Sequence, residues 1–494
     1  MLRPVSFSLI VMLASALWLV SCKKDDVTQT PTGPTVPVPP APTFDINSIN
    51  DTYADVSAAT NYLRWGPYNV HDPSILKIGD YYYCYNTDVA YGTAVRSGIQ
   101  IRKSKDLVQW FFVGWVFNSG LPKEASDYIK QSGGKPNDAL WAPYIMQVGN
   151  ELRLYYSLSS DQCKLSAIGL ATATNPEGPW TDKGIVVSSK CQNNPQTNAI
   201  DPSVVVTPTG EHWMHYGSGY DGIYVLPLNP GTGMAQSPGD KGKRIANRGF
   251  TNGRYNGNIE GPEIIYNPTL KKYYLFIAYD WLETKYNVRV GRGDSPNGPF
   301  FDFEGKNLND DIDHGPMILA PYQFSGHSGW QGVAHCSVFE TNGQYYMAHQ
   351  GRPGVDKYFM DLHVRKIFWT PDGWPVVSPE RYAYEDNATV AQADLVGNWE
   401  QIIVGYRVVP GYDKEQTSPD FQTSAPLAIN ADGTMNTDPA SKWTYTPPWL
   451  KLSYSNGFTD QVYVQKGRDW ENRKETIVFT GLNNVGTAIW GKKK

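Results

Sequence analysis

Hydrophobic positions along the chain alternate in short runs rather than cycling with a helical period. One phrase recurs, a turn followed by a strand dense in tyrosine. It reads G-D-Y-Y-Y-C-Y from Gly79, G-N-E-L-R-L-Y-Y-S from Gly149 and G-E-H-W-M-H-Y-G-S from Gly210. It returns as L-K-K-Y-Y-L-F-I from Leu270 and G-Q-Y-Y-M-A-H-Q from Gly343. Aromatic and β-branched runs bounded by Gly, Asp and Asn read as strands, and only 121–131 carries a plausible short helix. Five occurrences stand roughly 55 to 75 residues apart. Between them falls a second phrase, A-T-N-P-E-G-P-W-T-D from Ala173 and G-D-S-P-N-G-P-F-F-D from Gly293. Repetition at this period, with several short strands per unit, predicts blades of a β-propeller. The expectation is an all-β chain: a five-bladed propeller over 45–385, then a β-sandwich- or barrel-like module over 386–494, where the phrase is lost.

Chemistry enters at the strand starts. V-H-D-P-S-I-L presents Asp72, N-A-I-D-P-S-V presents Asp201, and N-I-E-G-P-E-I-I-Y presents Glu260. Each acid sits where a loop enters a buried strand, and the proline after it costs no ladder donor at a strand's first residue. Acid-Pro-Ser is also common turn chemistry. Three copies in the same setting predict a site assembled at the propeller axis, where inner strands from distant parts of the sequence converge. Three carboxylates there suit glycoside hydrolysis. Inversion needs a base for water and an acid for the leaving oxygen, about 6.5–9.5 Å apart, and a third carboxylate can raise the acid's pKa by like charge.

Composition narrows the partners. The net charge of −5 and a pI near 5.9 argue against nucleic acid. Aromatics make up 13 % of the chain, with 16 Trp and 32 Tyr, enough to supply both a β core and sugar-stacking surfaces. The N-terminus gives a compartment: Arg3, then an apolar run over 7–20 too short for a comfortable span, closing in L-V-S-C. That ending resembles the lipobox of bacterial lipoproteins and implies a signal peptide over 1–21 with acylation of Cys22. The acidic pair Asp25-Asp26 resembles a surface-export signal, so the expected address is the outer membrane or surface of a Gram-negative cell. Residues 27–44 hold six prolines and no charge, a semi-rigid spacer completing the 22–44 linker. Export permits Cys163 and Cys191 to pair; the sequence leaves this open, and reads Cys84 and Cys336 as buried thiols.

H-D-P-S-I at 71–75, L-W-A-P-Y-I at 140–145, N-A-I-D-P-S-V at 198–204 and I-E-G-P-E-I-I at 259–265 resemble glycoside hydrolase family 43. Y-G-S-G-Y-D-G-I-Y at 216–224, Y-N-V-R-V-G-R at 286–292 and G-W-Q-G-V-A-H-C-S-V at 329–338 bring the likeness closer to its endo-α-1,5-L-arabinanases. The resemblance implies an inverting enzyme cleaving inside arabinan, with Asp72 as base, Glu260 as acid and Asp201 tuning and orienting that acid. It departs at Tyr144, where such enzymes usually carry Asp. It implies a calcium ion near His335, although calcium prefers six to eight oxygen ligands and a lone histidine is more often a satisfied core residue.

Substrate contacts are expected from Trp141, Tyr220, Trp330 and Trp65, with His71 lining the pocket beside Asp72. Arg289 and Arg292 lie in a matched segment with no assigned reach. The chain is expected to act as a monomer. Two other functions fit the same residues. An exo-acting arabinofuranosidase or β-xylosidase would differ in loops such as 119–137 and 227–257. A non-catalytic surface glycan-binding lipoprotein would carry a broken acid set, whereas here all three acids are present.

Overall fold

A computed structural model of the chain describes residues 44–192, 195–251, 254–405 and 418–494. The expected signal segment, the lipidation site Cys22 and the linker up to residue 43 lie outside the described residues. Four antiparallel four-stranded meanders follow one another. The first runs through Ser74–Ile78, Tyr81–Asn86, Gln100–Ser104 and Phe111–Trp115, and the second through Trp141–Val148, Glu151–Leu158, Ser166–Ala173 and Thr181–Ser189. The third comprises Ser203–Val206, His212–Tyr216, Ile223–Leu228 and Lys243–Ala246, and the fourth Ile259–Asn267, Lys272–Tyr279, Asn287–Gly293 and Met317–Leu319. The aromatic phrases are the second strand of each meander. They read as near-continuous apolar runs because both faces are covered by neighbouring sheets, as in Glu151–Leu158, where all but the first position is buried. The expected helix is Lys123–Gln131.

The fifth expected blade is not a separate four-stranded sheet, which corrects the count of separate blades to four. Ser337–Thr341, Gln344–Pro353, Asp361–Trp369 and Pro375–Val377 repeat the meander inside a seven-stranded sheet. The cause is the length of Gln344–Pro353. Its end outruns Ser337–Thr341 and pairs Arg352 and Pro353 with Gln331 and Trp330. The sheet then continues through Tyr322–Gln323 into Gln422–Thr423, which joins in parallel.

The inner strands are stitched into a closed circuit, and this is what the serine of D-P-S does. The Ser74 hydroxyl accepts the Ile145 N–H at 3.1 Å, and the Tyr144 hydroxyl donates to the Val204 carbonyl at 2.6 Å. Ser203 accepts the Ile264 N–H at 3.1 Å, and the Glu263 carboxylate accepts the Val338 N–H at 2.8 Å. Ser337 accepts the Ile75 N–H at 3.2 Å, which returns the circuit to its start. A backbone group facing away from its ladder needs a partner, and four of these side chains accept a backbone N–H while Tyr144 donates to a backbone carbonyl. Tyr144 therefore contacts the neighbouring inner strand.

Among the described residues from Gly397 onward, eight strands form a closed barrel, from Gly397–Val404 and Ala425–Ile429 to Thr459–Asp469, Lys474–Asn483 and Ala488–Lys493. Its interior is filled by Trp399, Met435, Trp443 and Phe479. The Phe479 ring lies where a Cβ on Gly491 would come within 2.1 Å of it, so only glycine fits there. The barrel shares a core with the meander of 337–377. Trp490 packs with Tyr322, and Phe368 stacks on Tyr463 with centroids 4.0 Å apart. Cys163 and Cys191 are paired, and Cys84 and Cys336 are buried free thiols.

Candidate active site

Asp72, Ala142, Asp201, Gly261 and His335 occupy equivalent places, each two residues before the ring-closing Ser74, Tyr144, Ser203, Glu263 and Ser337. All five have left-handed backbone, with φ between 38° and 60°. For four non-glycine residues this conformation is strained. The bend turns the chain from the loop into the inner strand and aims the side chain at the axis. Asp72 and Asp201 are therefore true repeats of one device. Glu260 is not: it precedes the bend by one residue, in the place of His71 and Trp141, and Gly261 takes the bend itself. Gly261 is needed twice, for its φ of +55° and because a Cβ would stand 2.9 Å from the His335 Nδ1.

The three acids meet in one site. Asp72 is buried, with its Oδ1 2.7 Å from His71 Nδ1 and 3.1 Å from His335 Nδ1. Its Oδ2 accepts the Thr87 hydroxyl at 2.6 Å, and its own N–H donates to Gln350 Oε1 at 3.1 Å. Burial alone would raise this carboxyl, but His71 and His335 beside it hold it well below the usual carboxylate range. His335, although buried, is pushed up to about 9 by Asp72, then by Asp201 and Glu260.

Asp201 is pushed the other way. Burial comes first; the pull of His335 opposes it, and the like charges of Glu260 and Asp72 add to it, leaving the carboxyl well above its ordinary value. Its Oδ2 accepts the Gly261 N–H at 3.1 Å, so it fixes the peptide that follows Glu260. Glu260 is half-buried and held by two hydroxyls, Ser218 at 2.6 Å on Oε2 and Tyr286 at 2.6 Å on Oε1. The arrangement supplies a carboxyl held low by two histidines, a second carboxyl raised by burial and like charge, and His335 between them.

The structure places the remaining expected residues unevenly. His71 is at the site, in contact with Asp72. Trp141 is half-buried, and the neighbouring Ala142 N–H donates to Thr87 Oγ1 at 2.7 Å, which ties this segment to the Asp72 hydrogen-bond network. Tyr220, 46 % exposed, sits two residues from Ser218 with the Lys164 ammonium 5.6 Å from its ring centroid. Trp65 and Trp330 correct the expectation: each is 1 % exposed. Trp65 packs edge-on against Phe112, and Trp330 against His363 and under Arg381; neither has a face free for a sugar. Arg289 is buried against Asp280 and Asp313, and Arg292 lies over Trp374. Thr87, Ser218, Tyr286 and Gln350 were missed as site residues. Ser218 and Tyr286 lie inside segments whose likeness to the family was visible, which was the available signal.

A propeller whose axis gathers a carboxyl held low by histidines, one raised by burial and a half-buried third is the site of a glycoside hydrolase. The family model for Glycosyl hydrolases family 43 matches residues 66–375, and one described as a C-terminal lipocalin-like domain matches 379–491. The chain belongs to glycosyl hydrolase family 43. It is 28 % identical over 485 residues to an extracellular endo-α-(1→5)-L-arabinanase of Thermotoga petrophila, covering 88 % of this chain and 97 % of that one. The crystal structure of the endo-1,5-α-L-arabinanase from Thermotoga petrophila RKU-1 superposes with a TM-score of 0.74 at 27 % identity, over 87 % of this chain and 99 % of that one. An extracellular exo-α-(1→5)-L-arabinofuranosidase of Cellvibrio japonicus is 29 % identical, covering 63 % of this chain and 86 % of that one.

Proposed function

We propose that this glycoside hydrolase cleaves internal α-1,5-L-arabinofuranosidic bonds of arabinan with inversion. The observation carrying the chemistry is the opposed pair of environments at the axis. Asp72, ionised by two histidines, takes a proton from water as the water attacks the anomeric carbon. Glu260 gives a proton to the departing glycosidic oxygen. The Ser218 hydroxyl both donates and accepts, so its contact survives when Glu260 is protonated. Asp201, whose carboxyl is raised by burial and by like charge, holds the Gly261 peptide and so orients Glu260, the residue before it. Trp141 and Tyr220 at the rim offer ring faces to successive sugars. The inner-strand circuit, five bends and five ring-closing side chains, supports reading the propeller as five-bladed, with the meander of 337–377 as the fifth unit.

The endo reading draws support from the Thermotoga petrophila relative, whose likeness extends through the barrel. Linear arabinan is therefore expected to yield oligomers of mixed length at early times, resolved by chromatography. Arabinose as the sole early product would reject the endo reading in favour of an exo-arabinofuranosidase. The enzyme is proposed to act as a monomer at the outer surface, anchored through Cys22.

A calcium ion at His335 finds a poor donor set. Its Nδ1 faces Asp72, and among the described residues the one convergence of three candidate ligands is elsewhere, at Glu380, Asp469 and Glu471, where the Lys492 ammonium sits. Calcium's preference for six or more oxygens would have to be met by water. The ion is proposed only as a weakly held electrostatic occupant, and no step runs through it. Exhaustive dialysis against a chelator is expected to leave most of the activity in place; a near-complete loss restored by calcium would show a tighter site than these residues supply.

A further inference from the structure

Residues 196–200 form the outer edge of a small patch whose innermost member is Glu260. The Gly217 N–H donates to the Ile200 carbonyl at 2.9 Å, Asn198 pairs with Ser218, and Ser218 pairs with Glu260. Side chains run across the same patch. The Ser218 N–H donates to the Thr197 hydroxyl oxygen at 3.1 Å, and the Ser218 hydroxyl in turn donates to Glu260 Oε2 at 2.6 Å. Thr197 is fully buried, and a Cβ on Gly217 would stand 2.6 Å from its Oγ1. The far side of this edge is clamped to the disulfide. Ser189 Oγ accepts the Ala199 N–H at 2.9 Å and donates to the Lys164 carbonyl at 2.6 Å, while Gln196 Nε2 donates to the Ser188 carbonyl at 3.2 Å. Lys164 adjoins Cys163, and Ser189 lies two residues before Cys191, so the Cys163–Cys191 bond joins the two halves of the clamp.

We propose that Thr197 is a positioning residue for the proton donor, and that the Cys163–Cys191 disulfide fixes the edge on which Thr197 sits. The proposal rests on the reading of Glu260 as that donor. A reacting group must be held within about 0.5 Å of its productive place, and Glu260 is held partly by Ser218, a residue on a loop. A loop hydroxyl keeps such a place only where its own backbone is fixed. Thr197 fixes it by accepting the Ser218 N–H, and Ala199 and Gln196 fix Thr197 in turn. The cross-link lies at the end of the second meander where Ser166 pairs with Ser189, and it keeps the segments leaving that end from parting. Asp201 has a separate anchor, its N–H donating to the Ser157 hydroxyl at 3.1 Å, so the brace acts mainly on Glu260.

Steady-state kinetics of the full chain on linear arabinan and on an arabino-oligosaccharide with an aryl leaving group test this, with Glu260→Gln as the reference. Thr197→Val keeps the side-chain volume and removes the acceptor. It is expected to lower kcat on arabinan by about tenfold, the weight of one hydrogen bond, with KM close to the parent's. On the aryl substrate, which needs no proton donor, the loss should stay under about twofold. Thr197→Ser restores the acceptor and should restore kcat. Cys163→Ser combined with Cys191→Ser should reproduce the leaving-group-dependent loss, and adding Thr197→Val to that pair should cost little more, because both act along one path. Parental kcat in Thr197→Val overturns the proposal. So do equal losses on the two substrates accompanied by an earlier melting transition, which would make Thr197 a structural residue only. If the cysteine variant keeps full activity on arabinan, the part assigned to the disulfide is overturned. Leaving-group dependence in Glu260→Gln but not in Thr197→Val sinks this proposal alone; its absence from Glu260→Gln removes Glu260 as donor and the proposal with it.

Discussion

Asp72→Asn is expected to lower arabinan hydrolysis by about 10²–10⁴-fold, the usual weight of a general base, with the fold intact. The amide keeps the shape of the carboxylate, and its oxygen can still accept the Thr87 hydroxyl and sit beside His71. What it cannot do is take a proton from water. Glu260→Gln should cost a similar factor on the polymer but far less on an arabino-oligosaccharide bearing an aryl leaving group. Such a group departs without protonation, so the acid is no longer required. Asp72→Asn should cut both substrates alike, because water must be activated in either case. The comparison also separates Glu260 from Asp201, the group that burial pushes up in the resting site. If Asp201→Asn showed the leaving-group dependence and Glu260→Gln did not, the acid role would pass to Asp201. Full activity in Asp72→Asn would remove Asp72 as base.

These side chains were legible because the device that presents them is local. A left-handed residue followed by Pro-Ser and a β-branched strand is written in adjacent letters, at Asp72 and again at Asp201. The convergence of those letters followed from the repeat, since inner strands of a propeller meet by geometry. The finer register was not legible. I-E-G-P-E looks like a third copy, but the bend falls on Gly261, so Glu260 approaches from one residue earlier and meets Ser218 and Tyr286 instead. Thr87, just past the second strand of the first meander, and Gln350, within Gln344–Pro353, carry no mark of their own. Trp65 and Trp330 show the opposite failure. Tryptophan beside a functional motif looks like a sugar platform, yet inter-blade packing consumes the same rings. The expectation of a separate fifth sheet failed at a strand length: whether Gln344–Pro353 stops with its neighbour or runs on into another sheet is decided by tertiary pairing with Trp330–Gln331.

The same running-on explains why the barrel should be inseparable from the propeller, and Lys492 gives that claim its sharpest form. Its side chain is 1 % exposed and lies 2.9 Å from Glu380 of the propeller side, 3.0 Å from Asp469 and 2.6 Å from Glu471 of the barrel. Burial and the nearby Glu471 push Glu380 well above its ordinary range, opposed by Lys492. Against the opposing effect of burial, Lys492 and Glu380 hold Glu471 down to about 2. Lys492→Met fills the volume but strands a buried charge, which costs about 3–5 kcal/mol when one partner of such a pair is removed. Denaturant unfolding at pH 7 should show that deficit, with the propeller and barrel destabilised together because Trp490 and Tyr322 share one core. The sign with pH follows from Glu471. In the native protein its lowered pKa contributes stability that is complete above the unfolded value near 4.5 and lost as pH falls toward 2. Without Lys492 the stranded carboxyl instead takes up a proton readily, so the gap between variant and parent should narrow as pH drops through 4.5. Adding Glu471→Leu to Lys492→Met should recover part of the loss, since it removes the orphaned charge. A Lys492→Met protein as stable as the parent at pH 7 would mean that water reaches the network and that the seam is held by apolar packing alone.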